Sequence, residues 1–317
     1  MARTRRGLIA AAGALTLTVL ALTGCSSGNP LSQSTDTASS GSSSTITVGS
    51  AAFPENEILA YIYADALSDA GVKTTVKANI GQRDRYIAAL KSNEIQLVPE
   101  YTGNLLQFFD ATSTATSSDE VYAALQTATK DGGSGKLDAG KAEVLDQSPG
   151  QDADSYNVTQ KFSDQYKVTS LAELKNVSVP LKVGANPEFA TRPYGIPGLK
   201  SAYGVSATLT PINDSGGPNT LKALLDGNVQ LADIYTTDPS IAKNKLVTLA
   251  DPQHLIAAQN VVPLIASAVA SDTVTQTLNK VSAAITTSEL SAMLTKSYDD
   301  KQSADQIATD WVKANGF

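Results

Sequence analysis

Two tyrosines, Tyr101 and Tyr235, are the residues whose placement points most directly to a binding site. Each is followed by a threonine and is preceded, at the same spacing, by a Gln-Leu pair and an Ala-Leu pair. Both tyrosines come at the end of a stretch that is typical of a β-strand, and ligands of open parallel sheets bind beyond the carboxyl ends of the strands. Two lobes facing each other would therefore present one ring from each side to a common cleft, where rings can hold a ligand by stacking or by cation–π attraction.

The residue types that most enzymes and metal sites need are scarce. The chain has one histidine, His254, and one cysteine, Cys25, which excludes the commonest metal-ligand sets, Cys-His catalysis and most Ser-His-Asp catalysis. His254 is predicted to be a surface loop residue. A carboxylate-pair hydrolase using acids such as Glu55 and Glu100 is the enzyme alternative, but no local spacing supports that pair. We therefore expect a binding protein without catalytic residues, cofactor or metal.

The tyrosines are positioned by a pattern of strands and helices that occurs twice. Val48-Gly49 matches Val183-Gly184, and Gly71-Val72 matches Gly204-Val205, in the same order in both halves. These matches indicate an internal duplication, although generic α/β units also look alike. Strands alternating with helices predict two lobes, each with a parallel sheet and helices on its faces. In the first half the pattern predicts a strand over Ile46–Ser50, a helix over Pro54–Ala70, a strand over Val72–Ala78, a helix over Arg83–Lys91 and a strand over Ile95–Val98.

The first 24 residues have the pattern of a signal for export. Three arginines precede an apolar run over 8–22, which is shorter than the roughly 20 residues that a membrane-spanning helix needs. Leu22-Thr23-Gly24-Cys25 resembles the bacterial lipoprotein signal, which predicts cleavage after residue 24 and acylation of Cys25. Residues 25–44, rich in Ser, Thr and Gly, are then expected to be a disordered tether. The sequence thus predicts a protein on the outer face of the cytoplasmic membrane, held by its lipid anchor only.

The mature chain would be acidic. Residues 1–24 contain three arginines and no acidic residue, so 21 basic and 31 acidic residues remain after them. Nucleic acids and anionic membrane surfaces both require clustered Lys and Arg. The charge balance therefore excludes both classes of partner.

Five motifs, read in order along the chain, resemble one known family. They are FPENEIL at 53–59, ALKSNEI at 89–95, PEYTG at 99–103, FATRPYG at 189–195 and YTTD at 235–238. Together they are similar to the glycine betaine/choline-type substrate-binding proteins of osmoprotectant ABC importers, and the resemblance covers about residues 45–317.

The resemblance implies a bilobal, periplasmic-binding-protein-like (type II) α/β fold with two parallel or mixed-sheet lobes, which close over a small solute about a two-segment hinge. Lobe 1 would comprise 45–153 and 258–317, and lobe 2 would comprise 154–257. The segment Val261–Ile265 would be a buried return strand, and Trp311 would lie in the core of lobe 1. The family also implies a monomer that delivers its solute to ABC permease subunits. A separate ATPase would supply the energy, since this chain has no P-loop.

The family's ligands are quaternary ammonium compounds held in a cage of tyrosines, with an arginine that binds a carboxylate where the ligand has one. The resemblance assigns Tyr101, Tyr156 and Tyr235 to the cage and Arg192 to the carboxylate.

This chain departs from the family pattern at three expected ligand-binding positions. Ala51 stands where many relatives have lysine, Asn104 where they often have threonine, and Gln259 where they usually have another cage tyrosine. Asn104 and Gln259 predict a polar wall that could hydrogen-bond hydroxyls or carbonyls. A hydroxylated or aromatic solute is therefore an alternative ligand.

Some sequence features admit two interpretations. The segment 215–217, just before a predicted helix, could receive an anionic or polar ligand group or could be an ordinary turn. Asp214 and Asp233 could line the cleft or lie in solvated loops. A ligand-sensing protein of the cell envelope without a transport role is the functional alternative of another class.

Overall fold

The structure is a computed structural model that describes residues 45–317. The predicted signal, Cys25 and the predicted tether lie outside the described residues. Within 45–317, no helix is long and apolar enough to cross a membrane.

Two five-stranded sheets organise the described chain. The strands are β1 (Ile46–Gly49), β2 (Thr74–Lys77), β3 (Leu97–Tyr101), β4 (Ala142–Val144), β5 (Tyr156–Thr159), β6 (Leu181–Ala185), β7 (Ala207–Pro211), β8 (Leu231–Asp233), β9 (Leu246–Thr248) and β10 (Val261–Ala266). The first sheet has the order β2-β1-β3-β10-β4 and the second the order β7-β6-β8-β5-β9. We use "first lobe" and "second lobe" for the elements around these two sheets.

Helices cover the faces of both sheets. They are α1 (Pro54–Asp69), α2 (Arg83–Lys91), α3 (Thr102–Phe109), α4 (Ser118–Lys130), α5 (Gln160–Tyr166), α6 (Ile196–Tyr203), α7 (Pro218–Leu225), α8 (Ser240–Lys243), α9 (Asp272–Ala284), α10 (Thr287–Tyr298) and α11 (Ala304–Asn315). Helix α1 begins at Pro54, whose fixed φ suits a first helical turn, and Gly71 follows its end with a φ of 83°. Its apolar side chains pack between the first sheet and helices α9 and α11 in one buried cluster.

The predicted alternation of strands and helices is confirmed, but the sheets are mixed and not wholly parallel. Strands β2, β1 and β3 are parallel, as are β7, β6 and β8. The strands next to each crossing between the lobes run the other way: β10 is antiparallel to β3, and β5 is antiparallel to β8. The reason is geometric, because a chain that enters a lobe from the side where the parallel strands end must run away from that side.

The two crossings between the lobes lie side by side. Gln151 and Asn260 form an isolated antiparallel bridge, and the Asp152 N–H donates to the Gln259 carbonyl at 3.1 Å. Two hydrogen-bonded segments therefore connect the sheets at the edge where β3 and β8 end.

The C-terminal helices complete the core of the first lobe. The ring of Trp311, on α11, is buried and stacks on Phe317 at 5.8 Å. Its indole N–H donates to Glu289 Oε2 at 2.8 Å. The predicted packing role of Trp311 is confirmed.

Candidate functional site

A cavity lies between the two lobes, at the carboxyl ends of β1, β3, β6 and β8. Its lining from the first lobe and the first crossing is Ala51, Phe53, Gln82, Arg83, Tyr86, Tyr101, Asn104 and Asp152. Its lining from the second lobe is Asp154, Arg192, Ser215 and Tyr235. Tyr101 is the last residue of β3 and Tyr235 follows β8 by two residues. The two tyrosines thus meet at one cavity from opposite lobes.

Three aromatic rings form one group in this cavity. The ring of Phe53 lies 6.0 Å from that of Tyr101 and 5.9 Å from that of Tyr235, centroid to centroid. Phe53 comes from the loop between β1 and α1, so the group joins both lobes. The faces of such rings attract a cation without needing a hydrogen bond from it.

A buried arginine–glutamate pair supports one side of the cavity. Arg83 donates to both carboxylate oxygens of Glu100, from Nε at 2.9 Å and from Nη2 at 3.0 Å. The Tyr86 hydroxyl and the Tyr101 N–H also donate to this carboxylate, at 2.9 and 3.0 Å. Four hydrogen bonds therefore compensate the burial of Glu100 and hold Arg83 and Tyr86 in place.

On the opposite side, Arg192 lies among polar groups of both lobes. Its Nη1 donates to the Tyr194 hydroxyl at 2.7 Å and lies 3.7 Å from Asp154 Oδ1. Asp154 Oδ2 accepts from the Asn104 amide at 2.8 Å, a contact between the lobes. Asp154 Oδ1 is buried and has no hydrogen-bond partner among residues 45–317. An unpartnered carboxylate oxygen in a cavity lining is a group that a bound ligand can satisfy.

A third polar cluster connects the lobes beneath Tyr101. Glu55, in the first turn of α1, accepts from the Tyr101 hydroxyl at 2.7 Å and from the Thr237 hydroxyl of the second lobe at 2.8 Å. Asp152 accepts from the Thr237 N–H at 3.1 Å. Burial raises the pKa of Glu55 from 4.5 to about 7. Burial and the nearby Glu55 charge raise the pKa of Asp152 well above its ordinary range.

The family model for the substrate-binding domain of the ABC-type glycine betaine transport system matches residues 44–314. The chain belongs to this family. Its members are solute-binding components of transporters and not enzymes, so the carboxylate-pair hydrolase is set aside and the predicted binding role is confirmed.

Individual relatives agree with this membership. The glycine betaine-binding protein YehZ of Escherichia coli (strain K12) is 28% identical over 288 residues, which cover 86% of this chain and 92% of YehZ. The apo structure of YehZ from E. coli matches with a TM-score of 0.62 at 27% identity, covering 86% of this chain and 99% of that one. The crystal structure of a glycine betaine/carnitine/choline ABC transporter matches with a TM-score of 0.68, covering 85% of this chain and 98% of that one. Because the two sequences are 18% identical, this match shows the shared fold alone.

The structure brings five of the seven ligand-binding residues predicted from this binding protein's sequence to the cavity: Tyr101, Tyr235, Arg192, Asn104 and Ala51. It places Tyr156 and Gln259 elsewhere. Tyr156 lies in the core of the second lobe, where its hydroxyl donates to the Tyr194 carbonyl at 2.9 Å and its ring meets Phe189 at 5.5 Å.

Gln259 is buried behind Asn104 and does not line the cavity. Its Oε1 accepts from the Asn104 N–H at 3.0 Å, and its Nε2 donates to Asn104 Oδ1 at 2.9 Å. The Asn104 amide nitrogen is in turn bonded to Asp154. The polar groups of the predicted polar wall are thus paired with protein partners.

The structure gives different positions to the residues for which the sequence allowed two interpretations. Ser215 lines the cavity, whereas Asp214 accepts from the Asn219 and Thr220 N–H groups at 2.6 and 3.2 Å and so caps α7. Two of the backbone N–H groups that could bind an anion at this helix start therefore already donate to Asp214. Asp233 is buried, and burial followed by the Asp154 charge raises its pKa well above the ordinary range.

Six cavity residues were not predicted from the sequence: Phe53, Gln82, Arg83, Tyr86, Asp152 and Asp154. Phe53 lies in the loop after β1, directly before α1, and Arg83 is the first residue of α2, so the rule that ligands bind beyond strand ends could have included them. Tyr86 lies inside α2, where its spacing does not distinguish a core residue from a cavity residue.

Because the pKa of Glu55 is raised, we expect the binding protein to lose stability as pH rises from about 4.5 to about 7. In this interval the folded protein keeps a proton on Glu55 that the unfolded chain has released. Glu55→Gln, which imitates the protonated form, should therefore gain in melting temperature over wild type between about pH 3.5 and about pH 8, ~1 unit beyond each end of this interval. Thermal unfolding across this range measures the difference. A constant difference at all pH values would contradict the assignment.

Proposed function

We propose that this protein binds a quaternary ammonium solute, of the kind represented by glycine betaine and choline, between its two lobes. The observation that carries the proposal is the aromatic group of Phe53, Tyr101 and Tyr235, which joins both lobes in one cavity. A trimethylammonium group cannot donate hydrogen bonds. Aromatic faces attract it with about 0.5–2 kcal/mol per contact, more where water is excluded.

The charged groups of the cavity suit both ends of a zwitterion. The carboxylate of Asp154 lines the cavity with the rings, and its charge favours a cation there. Arg192 lines the same cavity and offers a planar guanidinium to a carboxylate. A cation without a carboxylate, such as choline, would leave Arg192 facing Asp154, 3.7 Å away.

The same geometry weakens the case for a hydroxylated or aromatic solute as the ligand of this cavity. Such a solute would need amide or carbonyl groups of the protein that are free to form hydrogen bonds. Asn104 and Gln259 are hydrogen-bonded to each other, and Asn104 is also hydrogen-bonded to Asp154. Breaking those bonds would cost about as much as new ones return. The ammonium ligand is the proposal because it uses the ring faces and the negative charge of Asp154, neither of which needs a hydrogen bond from the ligand.

Titration calorimetry with a charged ligand and its neutral isostere tests this proposal. We expect choline to bind measurably, and 3,3-dimethylbutanol, which replaces the nitrogen by carbon, to bind at least about tenfold more weakly, because it has no charge for the rings and carboxylates to attract. Glycine betaine should bind as well. Equal affinities for choline and the isostere, or no binding of either betaine or choline, would contradict the proposal.

We further propose that the protein works outside the cytoplasm as a monomer. It would be anchored through acylated Cys25 and would deliver its solute to permease subunits that a separate ATPase drives. The signal pattern and the Leu-Thr-Gly-Cys motif of the sequence support the anchor. Fractionation of cells that express Cys25→Ala tests it, because a variant that has lost its signal and still stays with the membrane would rule the anchor out. A sensing role without transport is the alternative outcome if solute uptake does not depend on this chain.

A further inference from the structure

A second, larger chamber continues outward from the tyrosine-lined cavity. The two share Gln82, Arg83, Asn104 and Arg192. The outer chamber has about 1000 Å³ of empty space, with open solvent at its mouth included, against about 490 Å³ for the inner cavity. Room for a ligand therefore extends well beyond the aromatic group.

One face of α3 leads from the inner cavity into the outer chamber. Asn104 lines both, and Gln107, Phe108 and Ala111 line the outer chamber. Asn104, Gln107 and Phe108 are spaced by three and four residues and so share one side of α3, whereas Ala111 follows the end of the helix. Gln107 lies about 5 Å beyond Asn104 along the helix axis, since each residue rises about 1.5 Å. A ligand held at the rings needs an arm of only a few atoms to reach it.

The outer chamber has two buried oxygens with no protein partner. Both Gln107 Oε1, from the first lobe, and Glu188 Oε2, from the second, are buried without a hydrogen bond among residues 45–317, and both residues line the chamber. A buried acceptor without a donor costs about 1–3 kcal/mol. Because one acceptor comes from each lobe, a ligand with several hydroxyl groups could satisfy both in the closed protein.

The charges of the outer chamber nearly cancel. Arg83 and Arg192 are paired with Glu100 and Asp154, and Lys136 remains with Asp84 and Glu188. The Lys136 ammonium lies 4.8 Å from the centre of the Phe108 ring. An anionic arm would meet two carboxylates and a cationic arm would meet Lys136 and two arginines, whereas hydroxyls can donate to the two free acceptors.

We propose that the outer chamber is a subsite for an uncharged, hydroxyl-bearing arm of the solute whose ammonium head occupies the tyrosine-lined cavity. This rests on the proposed function, since the head must bind for the arm to be placed. The ligand class is then an elongated ammonium polyol and not only a compact betaine.

Three probes with the same head test the subsite by calorimetry. They are choline, N,N,N-trimethyl-D-glucaminium with its polyhydroxylated arm, and hexyltrimethylammonium with an arm of similar length and no hydroxyl. We expect the glucaminium probe to bind more tightly than choline. In Gln107→Leu its affinity should fall about fivefold, the worth of one hydrogen bond, while the affinities for choline and hexyltrimethylammonium should not fall. Gln165→Leu, an exposed glutamine on α5, is the matched control and should change none of the three.

Each result separates the subsite from the head site. Binding of choline without tighter binding of the glucaminium probe would overturn the subsite and leave the proposed function standing. An unchanged glucaminium affinity in Gln107→Leu, or an equal loss for all three probes, would overturn the subsite too. If no probe binds, both proposals fail.

Discussion

Replacing Tyr235 with alanine should weaken the binding of glycine betaine and choline by about tenfold or more, which corresponds to roughly 1–2 kcal/mol of lost cation–π attraction. Tyr235 is the ring that the second lobe adds to the aromatic group, 5.9 Å from Phe53. Its removal therefore takes away attraction that exists only when the lobes are together. Tyr101 is a less clear choice for this experiment, since its hydroxyl also bonds to Glu55.

Two further variants separate the ring from the hydroxyl and from general damage. Tyr235→Phe keeps the π face and should bind within about threefold of wild type. Tyr166→Ala, on α5 and packed against Phe162 at 4.7 Å, removes a tyrosine of the same lobe outside the cavity and should leave affinity unchanged. Calorimetry of all three, with a melting curve to show folding, decides the matter. A folded Tyr235→Ala protein with wild-type affinity would place the ligand elsewhere.

Replacing Arg83 with methionine should destabilise the protein by about 3–5 kcal/mol, because Glu100 would keep its burial and lose its charged partner. The Glu100 side chain has a relative exposure of 0%, and that of Arg83 13%. Water therefore cannot replace the two lost hydrogen bonds. Urea unfolding followed by circular dichroism gives the difference in free energy.

A surface ion pair and a double variant serve as controls for Arg83. Lys77 and Glu94 also form a pair, but their side chains are 45% and 54% exposed, so Lys77→Met should cost less than about 1 kcal/mol. Adding Glu100→Gln to Arg83→Met removes the unpaired charge and should restore part of the lost stability. Equal losses for Lys77→Met and Arg83→Met would refute the role assigned to burial.

The sequence was sufficient to place residues whose positions depend only on the path of the backbone through the sheets. Tyr101 and Tyr235 could be assigned to one cleft because strand ends in two duplicated units face each other, and the structure places both in the cavity lining. The segment Val261–Ile265 was predicted as a buried strand, and β10 covers it. Its antiparallel direction follows from the side on which the chain re-enters the lobe.

The sequence could not predict which way individual side chains point. Tyr156 and Gln259 lie at the two crossings, next to the cleft in sequence, yet Tyr156 turns into the core and Gln259 is held behind Asn104. The direction in which such a side chain points depends on which buried hydrogen-bond donors and acceptors must be paired. The pairing of Arg83 with Glu100 is similarly set by long-range contact, since neither motif nor spacing links the two residues.

The burial of the Arg83–Glu100 pair has a consequence for the salt dependence of the site. Mobile ions screen charges that solvent reaches, over about 8 Å at physiological ionic strength and about 3 Å in 1 M salt. They act on the exposed Lys77–Glu94 pair but not on a carboxylate that solvent does not touch. The frame that holds Tyr86 and Tyr101 therefore keeps its shape in concentrated electrolyte, where a site supported by surface ion pairs would loosen.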